Sequence, residues 1–331
     1  MRYPPILYLV MVFLVLPLKN GHAGIKKNHT GSFAMNIQQT QERLIKHLES
    51  LTVTIGERSV RRPKNLDRTV SYIADYYGDI GVKVRTEPYT YQNITVANVV
   101  AEIQTDPSPS RRYIVGAHYD SVSGTVGADD NASAVAVQLE TARLLKALLD
   151  HEKDLDLAVK FVSFALEEPP VYGTAKMGSR VYAKKARDTH ERIDGMICLE
   201  MVGYACHDPG CQQYPFPLQF MGYPKAGNFI GIVGNTRSLG FTRALVSAFE
   251  KNKDLPVVKL NIPFNGWILP AVRLSDHASF WDKGFKAVMI TDTAFFRNPH
   301  YHLLSDSMEK LDYRFMAELV ESLILFFKTH P

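Results

Sequence analysis

The chain is poor in cysteine: Cys198, Cys206 and Cys211 are the only three in 331 residues. None has the paired spacing of a zinc knuckle or ribbon, so a thiolate-held structural metal is excluded. Charge of one sign is scarce as well. The formal net charge is +4, and the basic clusters Arg61-Arg62 with Lys64 and Lys184-Lys185 with Arg187 read as solvated faces. No nucleic-acid partner is expected. Past the N-terminus no apolar run approaches the length of a membrane span, so no stable span is expected. Internal repeats and low-complexity linkers are absent too.

The N-terminus carries an address. Arg2 precedes an apolar run from Ile6 to Leu18, and Gly21-His22-Ala23 leads to Gly24. A positive start, a short apolar stretch and small residues at the exit make a secretory signal peptide over residues 1–23. An uncleaved anchor is the alternative. Residues 24–35 are polar and expected to be disordered, and 36–331 are expected to form one compact domain. The mature protein is then exported, periplasmic or secreted. Export permits disulfides, and Cys206 and Cys211 flank the turn-forming His-Asp-Pro-Gly. Cys198 lies in an apolar run and reads as a buried thiol.

Apolar residues recur at helical spacing from about 36 to 51 and from 66 to 77. Two strand-like runs, 82–91 and 95–103, follow with a hairpin between them. Strand and helix then alternate. Strands fit 112–116, 157–165, 195–201, 229–233 and 287–291; helices fit 132–149, 174–186, 238–251 and 312–328. Such alternation gives the α/β class, a mostly parallel mixed sheet with helices on both faces. Two stretches rich in Pro, Gly and aromatics, 202–227 and 261–275, are expected to shape a pocket.

Chemistry gathers where the strands end. The first parallel strand runs into Gly-Ala-His118-Tyr-Asp120-Ser and then Gly-Ala-Asp129-Asp130-Asn-Ala-Ser. The second ends in Glu167-Glu168-Pro169-Pro170, the third in Glu200, and the last leads to His300-Tyr-His302 and Asp306. Adjacent carboxylates are costly unless something positive lies between them. Imidazole mixed with hard carboxylates suits zinc or a similar divalent ion. Two His and three acids exceed one closed tetrahedral site and fit two metals roughly 3.5–4 Å apart with a shared carboxylate. One acid then remains as a general base.

These motifs, GAHYDS, GADDNAS, the Glu-Glu pair, LEMVGY, SDHASFW and NPHYHLLSD, resemble in order the dizinc exopeptidase family of bacterial leucyl aminopeptidases. The resemblance implies the three-layer sandwich of zinc exopeptidases and two zinc ions per chain. It makes His118, Asp130, Glu168, Glu200 and His302 the ligands, with Asp130 bridging. Glu167 becomes the general base, and Asp120 the carboxylate that orients His118. His302 is preferred over His300 because Asp306 follows it by four residues, as in the family. Asp276 of Ser-Asp-His is implied to support the site or contact substrate. Some relatives place an oxyanion-assisting Tyr just before that motif; here the stretch is Pro270-Ala-Val-Arg273-Leu274, and Arg273 is the candidate substitute. The implied reaction is hydrolysis of peptides with a free N-terminus. A glutaminyl cyclase on the same fold is the first alternative, though Asp129 and Glu200 favour the peptidase. A carboxypeptidase reading would use Arg273 and Arg297 to hold a carboxylate. A non-catalytic ectodomain would have lost ligands, and none is lost here.

Overall fold

The computed structural model describes residues 35–152 and 155–329. The expected signal peptide and the polar stretch as far as residue 34 lie outside the described residues. Helix α1, Ile37–Leu48, is capped by Asn36, whose side chain accepts from the Gln39 N–H. It runs on into a wider turn, Glu49–Ile55. Helix α2, Pro63–Asp79, has Pro in its first turn, where no intrahelical N–H is needed. Gly81, at φ 72°, turns the chain out of it.

Strands β1, Lys83–Tyr91, and β2, Ile94–Gln104, form the expected antiparallel hairpin, with Tyr91 opposite Ile94. Then come β3 (Arg111–His118), α3 (Ala134–His151), β4 (Leu157–Phe164), α4 (Gly178–Asp188) and β5 (Gly195–Glu200). The remainder is β6 (Ile230–Asn235), α5 (Leu239–Phe249), β7 (Val257–Ile262), α6 (His277–Asp282), β8 (Ala287–Thr291) and α7 (Tyr313–Thr329). The sheet order is β1-β2-β4-β3-β5-β8-β6-β7. Pairs β4–β3, β3–β5, β5–β8 and β6–β7 are parallel; β1–β2, β2–β4 and β8–β6 are antiparallel. The mixed, mostly parallel α/β reading therefore holds. Strand β7 and helix α6 were not foreseen.

The central strands are buried along their whole length at β5 and β8, which is why they read as unbroken apolar runs. Side chains alternate between the faces. Ile114, Val162, Phe164, Met196 and Cys198 pack against Tyr182 and Ala186 of α4 and Phe280 and Trp281 of α6. On β3 the neighbouring Tyr113 stacks on Phe241 of α5 at 5.8 Å and meets Phe326 of α7 edge-on at 5.3 Å. Because β4, β3, β5 and β8 all run the same way, their carboxyl ends share one edge, where sheets of this class build their sites.

Candidate metal centre

Each strand end delivers one polar group. His118 is the last residue of β3 and Glu200 the last of β5. Glu167 and Glu168 follow β4, Asp130 sits in the turn between β3 and α3, and His302 lies in the long connection after β8. The backbone is bent sharply to do this. Leu166, Met201 and His302 have φ of 58°, 46° and 58°, a region that side chains other than Gly and Asn seldom adopt. Each is a candidate ligand or general base, or the residue next to one.

The side chains meet as two triads. His118, Asp130 and Glu200 form one; Asp130, Glu168 and His302 form the other. Asp130 belongs to both, one oxygen to each. Its Oδ1 stands 3.4 Å from His118 Nε2, and its Oδ2 stands 3.2 Å from His302 Nε2. Glu200 Oε2 is 3.5 Å from His118 Nε2, and Glu168 Oε2 is 3.3 Å from His302 Nε2. Two ligands each about 2.0–2.1 Å from a tetrahedral zinc stand roughly 3.3–3.4 Å apart, so the spacings fit such an ion in each triad. A second observation agrees. His118 Nε2, His302 Nε2 and Glu168 Oε1 are buried with no hydrogen-bond partner among the described residues. Buried polar atoms without partners are rare and call for an explanation.

Neighbouring groups hold the triads in place. Asp120 accepts the backbone N–H groups of Glu167 and Glu168 at 2.9 and 3.0 Å, tying the end of β4 to the end of β3. Its own carbonyl lies 3.2 Å from His118 Nδ1, and its carboxylate 3.4 Å from the same nitrogen. So it lies against His118 and also anchors the Glu-Glu pair. Asp306 accepts the N–H groups of Asp129 and Asp130 at 2.9 and 3.2 Å. Asp129, without a role from sequence, accepts from Gly203 N–H and the Asn298 amide at 2.8 and 2.7 Å. Ser275, another residue the sequence reading missed, donates to Glu200 Oε2 at 2.6 Å.

The electrostatics show a cluster in need of positive charge. Burial pushes Glu167 well above the usual carboxylate range and raises Glu168 to about 8. Burial works against the His302 cation, but Asp130 and Glu168 overcome it and raise His302 to about 10. Asp130 resists its own burial through His118 and His302 and is held at about 2. In the metal-free protein, Glu168 keeps its proton between pH 4.5 and about 8, where the unfolded chain has lost it. His302 does the same between 6.5 and about 10. More protons bound to the folded state means that stability falls as pH rises through these windows. Chelator-stripped protein is therefore expected to melt at lower temperature at pH 9 than at pH 6. Saturating zinc should blunt or reverse the trend, since metal binding needs deprotonated ligands. A stripped protein that gains stability over that range would contradict the proton assignment.

The sequence profile described as Peptidase family M28 matches residues 98–326. That is well over half of the chain and contains all six predicted metal and base positions together with Asp120. The chain belongs to peptidase family M28. Membership makes it a zinc-dependent hydrolase acting on peptides. A protein of Escherichia coli K12 described as uncharacterized protein YfbL is 38% identical over 291 residues, covering 86% of each chain. A probable leucine aminopeptidase of Trichophyton verrucosum is 26% identical and covers 67% of this chain, which spans 54% of that longer protein. Among solved structures, the LapA aminopeptidase of Legionella pneumophila superposes with TM-score 0.63 at 19% identity, over 88% of this chain and 72% of LapA. A glutaminyl cyclase of Porphyromonas gingivalis superposes with TM-score 0.62 at 17% identity, over 88% and 98%. At those identities the two structures share the fold.

Two predicted members of the M28 site stand differently from the rest. Arg273 is not brought to the triads. Its guanidinium donates to Asn265 O at 2.5 Å and Asp282 Oδ1 at 2.8 Å and lies over the Trp267 ring. The short helix α6 supplies Asp282 and draws Arg273 away from the centre. Asp276 is fully buried beside the centre, and burial raises it to about 7. A tyrosine does stand beside the centre, in another segment of the chain. Tyr301 stacks on the His302 ring at 3.8 Å, and its phenol is raised by burial and by the charges of Asp130, Glu168, Glu200 and Glu167. It adjoins His302 in sequence, in a run where only the histidines carry an evident metal-binding signal. Cys206 and Cys211 do form a disulfide, and Cys198 is a buried thiol.

Proposed function

We propose that the protein is a dizinc aminopeptidase of exported location that removes apolar N-terminal residues from peptides. The observation that carries this reading is the pair of triads sharing Asp130, with Glu167 beside them outside both. Zinc held by the triads supplies a Lewis acid that acidifies water and polarises a carbonyl. Glu167 Oε2 lies 4.0 Å from His118 Nε2, so its carboxylate faces the reacting space without belonging to a triad. It takes the proton of the attacking water and hands it to the departing amine. The Tyr301 hydroxyl donates to the oxygen on which charge develops. Glu200 and Tyr301 also form part of the wall of a pocket with a cavity volume of about 110 Å³. Tyr214, Leu218, Phe229, Val233 and Met289 make that wall largely apolar, which suits a large apolar side chain.

The expected pocket stretch 202–227 contributes Gln213, Tyr214, Pro215, Leu218 and Tyr223 to this wall, and 261–275 contributes Ala271, Val272 and Leu274. The carboxypeptidase reading loses support, because Arg273 is committed to Asp282 and Arg297 to Gln212 and the Tyr204 carbonyl. Exported location is supported by the N-terminal signal pattern and by the disulfide, which persists in an oxidising compartment. Among the described residues no helix is long and apolar enough to cross a membrane.

The reading is tested with aminoacyl and N-blocked peptide substrates, metal content being measured alongside. Release of leucine or phenylalanine from free N-termini with two zinc ions per chain is expected. Cyclisation of N-terminal glutamine with one zinc and no amino-acid release would establish the cyclase instead. Tyr301→Phe is expected to lower kcat by about 10²-fold, the effect of losing one oxyanion donor. KM and zinc content should stay near wild type; a change confined to KM would make Tyr301 a pocket residue only.

A further inference from the structure

The segment between α1 and α2 lies outside the residues matched by the family profile and holds Arg58, the most deeply buried arginine among the described residues. After the wide turn that ends at Ile55, Gly56 adopts φ 83° and reverses the backbone. This sends Arg58 inward, where it is fully buried. Among the described residues its guanidinium forms no ion pair. All its hydrogen bonds go to backbone carbonyls, and three of these belong to the loop that separates His118 from Asp130. Nε donates to Tyr119 O at 2.8 Å, Nη1 to Val126 O at 2.7 Å, and Nη2 to Gly127 O at 3.0 Å. Nη1 also reaches Leu51 O and Gly56 O at 3.1 and 3.2 Å. The backbone joins in. Arg58 N–H donates to Ser121 Oγ at 3.1 Å, and Ser121 Oγ donates to Thr125 O at 3.1 Å. The loop is thus wound around one side chain, with a candidate ligand at each end.

Gly127 shows how tight the winding is. At φ 51°, a Cβ there would stand 2.0 Å from Asp130 O and 2.7 Å from Ser121 Cβ. The loop has one compact path, and the planar fork of Arg58 fits the three carbonyls that define it. Charge acts in the same direction. Burial lowers the guanidinium pKa to about 10 against the pull of Asp120, Asp306, Asp130 and Glu168, so it stays cationic at neutral pH and faces the acids of the centre. An unpaired buried cation is costly, and here five backbone carbonyls accept from it and offset that cost.

We propose that Arg58 is the positioning residue of the metal centre: by clamping the carbonyls of Tyr119, Val126 and Gly127 it sets the separation of His118 and Asp130. The inference rests on the reading of those two residues as metal ligands. It assigns a role in metal affinity to a residue that touches neither metal ligand side chains nor substrate. Lysine keeps the charge but cannot bond three carbonyls in one plane, so shape and charge separate in the variants.

The test measures zinc affinity of the chelator-stripped full chain by competition with a chromophoric chelator, beside its melting temperature. Arg58→Lys is expected to weaken zinc binding by about 10–100-fold, as loss of a group supporting a metal ligand does. Arg58→Gly should do the same, with part of the affinity restored by millimolar guanidinium ion. Glu140→Gln serves as the stability control. It breaks a buried network of His47, Tyr76 and Arg143, and should lower the melting temperature while leaving zinc affinity within about twofold. Wild-type affinity in Arg58→Lys, or an affinity loss in Glu140→Gln as large as in Arg58→Lys, overturns the clamp. If the Arg58 variants do not fold, Ser121→Ala decides. It keeps the guanidinium but loosens the loop, and an unchanged zinc affinity would refute the proposal. Failure of the wild-type chain to bind zinc overturns the metal reading and the clamp together, whereas tight wild-type binding with an unaffected Arg58→Lys overturns the clamp alone.

Discussion

Glu167→Gln is expected to lower kcat by about 10²–10⁴-fold, the range for removing a positioned general base, while the zinc content stays at the wild-type value. The amide fills the same space but cannot accept the proton of water. The backbone at this position is held by Asp120 through the Glu167 and Glu168 N–H groups, so the exchange does not disturb the loop. Glu167 belongs to neither triad, and this is why metal should remain. Its burial, which pushes its pKa well above the usual carboxylate range, keeps it a strong enough base to be worth using. Substrate affinity, read as KM, should change little, because the pocket wall does not include this residue. Wild-type turnover in Glu167→Gln, or loss of zinc from it, would sink the assignment.

Much of this centre is legible because it lies at strand ends. An apolar run that stops at a His or an acid places that group at the edge of the sheet whatever happens in between. His118 and Glu200 close β3 and β5, and four such endings on consecutive strands point to one place only if those strands are parallel. Alternation of strand and helix supplied that condition. Strand β7 escaped because it is a half-exposed edge of six residues, whose burial follows no period of two. Helix α6 escaped because six residues are too few to display a helical period.

The supporting residues were harder to read, and the reason is distance along the chain. Asn298 reaches the Asp129 carboxylate across 169 residues, and Asp306 reaches the Asp129 backbone N–H across 177. Asp306 was legible only through its spacing to His302. Arg58 leaves no local trace beside Arg61 and Arg62, which are exposed, since nothing in the sequence tells a buried arginine from its neighbours. Arg273 shows the converse error: a cation placed well in sequence is captured by Asp282, a partner nine residues on, in a helix the sequence did not announce.

Asp130→Ala should have the largest effect on metal, because its two oxygens face the two histidines separately. Loss of a group that merely supports a ligand costs about 10–100-fold in affinity, so loss of a shared ligand should cost more than ~100-fold at each triad. His302→Ala touches one triad and should leave the zinc held by His118, Asp130 and Glu200 in place. His300→Ala should change neither, since its Nδ1 lies 2.9 Å from Ser305 Oγ and its ring is turned toward Tyr204. Zinc counted per chain in the four proteins, wild type included, separates these cases as two, none, one and two. A tightly held zinc in Asp130→Ala would mean that the carboxylate is not shared. Loss of zinc in His300→Ala with none lost in His302→Ala would move the second triad to the other histidine. The order of effects follows from geometry alone: the number of triads a side chain enters sets the number of metals that leave with it.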